Sequence, residues 1–131
     1  MKEIINLNIK IDVVDGPKLS EIQNIEVEAY EKLTIKLEKK VSDIEVDIQP
    51  GGEGQVEFLM IKIENPEQYG KEVKYKLTKP AADPKFDLDR PLILFGLGAI
   101  SLLGPPKKLY FTNDWEEEVQ LQILVGRDAT P

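Results

Sequence analysis

Ile5-Asn6-Leu7-Asn8-Ile9-Lys10-Ile11-Asp12-Val13 sets an apolar side chain at every odd position and a polar or charged one at every even position. Two is the period of a β-strand, whose successive side chains point to opposite faces, so this stretch reads as a long, half-buried strand. Gly16-Pro17 ends it, because glycine frees the backbone and proline lacks a donor for the ladder.

The same period recurs along the chain. Ile25, Val27 and Ala29 alternate with Glu26 and Glu28; Leu33, Ile35 and Leu37 alternate with Thr34, Lys36 and Glu38. Ile44, Val46 and Ile48 alternate with Asp43, Glu45 and Asp47, ahead of the turn-forming run Pro50-Gly51-Gly52-Glu53-Gly54. Residues 56–63 are nearly all apolar, as in a strand covered on both faces. Val73, Tyr75 and Leu77 resume the alternation, a strand follows at Leu109 to Phe111, and Val119, Leu121, Ile123 and Val125 form the last strand.

One segment carries two patterns. Ile22, Ile25, Ala29 and Leu33 also fit helical spacing, and Ser20 with Gln23 could form a capping box. Val27 and Ile35 fit only the alternation, so a strand is expected, with room for a short helical turn near Leu19 to Gln23. Eight or nine short strands separated by turn residues, without βαβ alternation, predict an all-β fold. The expected architecture is an antiparallel two-sheet β-sandwich, jelly-roll-like, in a single domain over residues 1–131.

Composition narrows the chemistry. The 131 residues carry 24 acids against 17 bases, a net charge of -7, with neither cysteine nor histidine. Disulfides, thiolate nucleophiles, Cys- or His-ligated metals and a Ser-His-Asp triad are therefore excluded. Lys and Arg are scattered among acids, which argues against nucleic acid as a partner. No signal-peptide pattern opens the chain, and the longest apolar run, residues 92–103, is shorter than the ~18 residues a membrane helix needs. The expectation is a cytoplasmic protein or a component of a virion-like assembly, with no membrane partner.

That run belongs to the most distinctive stretch, Pro91-Leu92-Ile93-Leu94-Phe95-Gly96-Leu97-Gly98-Ala99-Ile100-Ser101-Leu102-Leu103-Gly104-Pro105-Pro106. It lacks alternation. One reading is a central strand or strand pair buried on both sides. Another is an oligomer interface through Leu94, Phe95, Leu97, Ile100 and Leu102, since a monomer does not leave so large an apolar patch in water. A third, membrane insertion of a Gly-spaced apolar segment, suits its internal position poorly.

Asp83, Asp87 and Asp89 lie in the longest irregular segment, where a D-x-D pair could share a Ca²⁺; without an EF-hand pattern, a solvated acidic turn is the simpler expectation. Trp115, the only tryptophan, either caps one end of the sandwich or binds a sugar ring or partner protein. Rows such as Asp43, Glu45 and Asp47 could supply paired carboxylates for glycoside hydrolysis, but a solvated sheet face explains them fully. Ser20, Ser42 and Ser101 lack a nucleophile-elbow context.

Neither catalysis nor a cofactor is expected. The sequence leads to a non-catalytic structural or assembly protein, a β-sandwich that associates with itself or with a larger assembly, as capsid, decoration and fibre-head modules do. The alternative is a ligand-binding module, with carbohydrate the leading ligand class and Trp115 its binding residue.

Overall fold

The computed structural model describes residues 3–48, 55–77, 85–103 and 108–128. Among these described residues, ten antiparallel strands form three sheets. The first two, β1 (Glu3–Asp12) and β2 (Lys18–Val27), pair only with each other as a hairpin, in the register Ile5 opposite Ile25 and Ile11 opposite Leu19. Val13 to Pro17 close the hairpin, with Val13 N–H donating to the Pro17 carbonyl at 3.0 Å and Asp15 in the left-handed region at φ 58°.

The other eight strands make two four-stranded sheets. Sheet one runs β3 (Ala29–Leu37), β10 (Val119–Asp128), β5 (Gln55–Ile63), β8 (Leu92–Phe95). Sheet two runs β4 (Val41–Asp47), β9 (Lys108–Asn113), β6 (Val73–Lys76), β7 (Phe86–Asp87). From β3 onward the chain changes sheet at every connection except β6 to β7. This is the antiparallel, jelly-roll-like sandwich that the alternating pattern predicts.

Alternation selects the core. Leu37, Leu59, Ile61, Ile63, Val119, Leu121, Ile123 and Val125 point inward from sheet one and meet Val46, Ile48, Val73, Tyr75, Leu109 and Phe111 from sheet two. Each fully buried Leu, Ile or Phe contributes roughly 1.5–3 kcal/mol through removal of apolar surface from water. β5, between β10 and β8, is the near-continuous apolar strand, and its flanking pairs explain why five of its side chains are buried.

One expectation needs correction. Residues 92–103 are not a central strand or strand pair. Leu92 to Phe95 form an edge strand paired only with β5, and Gly96, at φ 86°, turns the chain out of the sheet. A single helical turn, α1 (Leu97–Ile100), and a 3-10 turn over Ser101 to Leu103 follow. Glycine reaches that φ without a Cβ penalty, which is why the run breaks there. The segment at Leu19 to Gln23 is strand, as its alternation predicts, and cross-strand pairing with β1 holds it extended with no helical turn.

The hairpin departs from the expected role of its sequence. Its odd-numbered apolar side chains on β1 do share one face, but that face is not sandwiched. Ile5, Leu7 and Ile9 are half-buried near the base, while Ile11 is 50% and Leu19 64% exposed toward the tip. Periodicity reports that a strand has an apolar face; it does not report what lies on it.

Candidate functional site

The two outer faces of the sandwich differ in chemistry. On sheet two the outward side chains are polar and paired. Glu45 lies across from Tyr110, and Tyr110 across from Lys76; Thr112 lies across from Lys74, and Lys74 across from Asp87. Lys108 bridges Glu45 at 3.3 Å and Asp47 at 3.8 Å; Lys74 meets Asp87 and Lys76 meets Asp43, each at 3.5 Å. The Lys108 ammonium is held above its ordinary value by its hydrogen bond to Glu45. This is a solvated face, and it absorbs the carboxylate row Asp43, Glu45 and Asp47 into ion pairs rather than a catalytic pair.

Sheet one is different. One row across it reads Lys32, Leu124, Met60, Ile93, and the next reads Tyr30, Gly126, Phe58, Phe95. Phe58 is buried although it faces outward, because the base of the hairpin covers it. Gly126 makes that seat possible: a Cβ there would lie 2.6 Å from Ile5 Cδ1, 3.0 Å from Val27 Cγ1 and 3.3 Å from Phe58 Cβ. Beyond this seat, Leu124, Met60 and Phe95 are half-buried and Ile93 is 42% exposed.

At the base, the Glu28 N–H donates to the Arg127 carbonyl at 3.1 Å, and Arg127 Nη2 donates to Glu31 at 3.3 Å. The hairpin's opposite face is polar along most of its length. Asn8 donates to Asn6 and Asn6 to Asn24, each at 2.7 Å, with Ile4 and Ile22 exposed beside this ladder.

The sequence-predicted interface residues are split by the structure. Leu94 packs partly against the core, and Phe95 faces outward on sheet one. Leu97 and Leu102 are exposed, at 55% and 79%. Ile100 does not belong to any surface: it is 5% exposed and part of the core, because α1 lays it back over the end of sheet one. Sequence reasoning missed the hairpin face and the outer row of sheet one. The signal was present in the alternation at Ile5 to Ile11, but each apolar residue was assigned to the core.

Trp115 is half-buried and packs against the core. Its backbone N–H donates to Asn113 Oδ1 at 3.0 Å, its backbone carbonyl accepts from Lys40 N–H at 3.2 Å, and Lys71 Nζ sits 5.3 Å from its ring centroid. Asn113 anchors this corner from a fully buried position, donating to the carbonyls of Leu37, Glu38 and Glu117 at 3.4, 3.2 and 2.8 Å. A buried amide so satisfied fixes the loop around the tryptophan.

Of the acidic loop, Asp83 lies outside the described residues. Asp87 pairs with Lys74, and Leu88, buried between Asp87 and Asp89, donates its N–H to the Val73 carbonyl at 2.9 Å. Among the described residues no cluster of three or more Asp or Glu has the arrangement of a metal site. No helix among them is long and apolar enough to cross a membrane.

No protein-family model matches the chain, and no curated protein matches it. Among solved structures, the Cnp3 cupin domain of Schizosaccharomyces pombe aligns over 95% of this chain and 84% of that one, with 12% identity and a TM-score of 0.44.

Proposed function

We propose that this chain is a non-catalytic structural protein that assembles with copies of itself. The observation that carries the reading is the apolar face of the β1–β2 hairpin, whose base rests on sheet one while Ile11 and Leu19 toward its tip are at least half exposed. A two-stranded hairpin in water is marginal by itself and needs a surface to pack on. Covering one such Ile or Leu contributes roughly 1.5–3 kcal/mol, so a few of them suffice to hold a second molecule.

Capsid, decoration and fibre-head modules are the settings in which small sandwiches most often play this part, and that comparison is one of architecture. A carbohydrate-binding role would rest on Trp115, whose ring is half covered by the core and has the Lys71 ammonium beside it. No observation favours that second reading.

The test is the absolute mass in solution, by light scattering behind gel filtration at two protein concentrations. The expected result is the same mass at both, two or more times 14.8 kDa. A 14.8 kDa particle at both concentrations overturns the reading.

A further inference from the structure

The hairpin and the outer face of sheet one are two apolar surfaces on one chain. They already meet in part, where Ile5 and Val27 sit over Gly126 and Phe58. The row next to that seat, Leu124, Met60 and Ile93, offers the same kind of surface and is not fully covered.

Charge sorts these surfaces into a complementary pair. The apolar face of the hairpin carries two acids, Glu3 at its base opposite Val27 and Glu21 farther out opposite Ile9, whose side chain accepts a hydrogen bond from Gln23 Nε2 at 2.8 Å. The row on sheet one is bordered by Lys32, directly across from Leu124, and by Lys62, two residues beyond Met60 on β5. Among the described residues neither lysine has an ion-pair partner. Sheet two offers no such match, since its outward lysines are engaged with their own carboxylates.

With both surfaces on every chain, a twofold axis satisfies them twice and closes the assembly.

We propose that the β1–β2 hairpin is an exchanged arm: in a twofold dimer each arm lays its apolar face across Leu124, Met60 and Ile93 of a second copy, with Glu21 between Lys32 and Lys62. This rests on the self-association proposed above and names the surfaces that perform it.

Because the chain has no cysteine, single thiols can be placed without background. Ile9→Cys and Ile93→Cys proteins, mixed and allowed to exchange subunits, are treated with a short bismaleimide and resolved on a denaturing gel. A cross-linked dimer containing one of each is expected. In parallel, Leu19→Asp and Ile93→Asp, both at exposed positions, are each expected to weaken association by about 100-fold with an unchanged circular dichroism spectrum. A wild-type protein that is monomeric overturns self-association altogether. A wild-type oligomer that yields no mixed cross-link, and whose mass neither aspartate substitution alters, overturns the arm exchange while self-association stands.

Discussion

At Gly126 a hydrogen in place of a side chain decides whether the hairpin can rest on sheet one. An added Cβ would crowd Ile5 Cδ1, which can rotate away, but also Val27 Cγ1 and Phe58 Cβ, which cannot move far. Gly126→Val adds two further methyl groups to that contact. It is expected to cost about 1–3 kcal/mol and to lift the hairpin base, read as a lower thermal midpoint and faster proteolysis near residue 28. An unchanged midpoint and digestion pattern would mean the seat does not hold the arm. Tyr75 makes a second residue-scale case. It is buried against Phe86 and Phe111, with ring centroids 5.5 and 6.5 Å away, and burial raises its hydroxyl above the ordinary 10.0. The folded state therefore favours the protonated form. Its contribution to stability is present in full below pH 10.0 and is lost as pH rises from there through the higher folded value. Urea midpoints taken from pH 8 upward should fall in the wild type above about pH 10, and less steeply in Tyr75→Phe. Identical slopes would remove Tyr75 as the cause.

At the scale of the element, the stretch from β8 through α1 shows how one apolar run divides between two environments. Within β8, Leu92 and Leu94 face the core and Ile93 and Phe95 face outward, the period-two rule acting over only four residues. After Gly96 the helical turn follows a different period, burying Ile100 while leaving Leu97 in solvent. Asp at these two positions should therefore behave in opposite ways. Ile100→Asp places a charge in the core and is expected to unfold the protein at 25 °C, because an unpaired buried carboxylate costs several kcal/mol. Leu97→Asp should leave the thermal midpoint within about 1 °C, as for most exposed substitutions. Equal melting curves for the two variants would contradict this placement of α1. The hairpin is the other informative element. Its ladder is as regular as any in the sandwich, and its sequence is the clearest alternation in the chain, yet it contributes little to the core beyond its base.

For the molecule as a whole, the contrast between the two outer faces was partly legible before folding. Alternating acids and lysines in β4 and β6 read as a solvated face, and Lys108, Glu45, Lys74 and Asp87 form one. Nothing in the order of residues says that Leu124 lies beside Met60 and Met60 beside Ile93, because these come from three strands distant in sequence. The same holds for Asn113, whose amide collects carbonyls of residues 37 and 38 across the sandwich. Composition alone excluded thiol and imidazole chemistry, and period-two patterning alone set most of the strands, which residues share a face, and the sandwich class. Both are local properties, written in residue identity and in neighbours one or two positions away. Which apolar faces find a cover and which are left over was decided only by tertiary structure. That outcome depends on strand order and on close approach at Gly126, and the same local pattern serves a buried core strand and a free arm equally well.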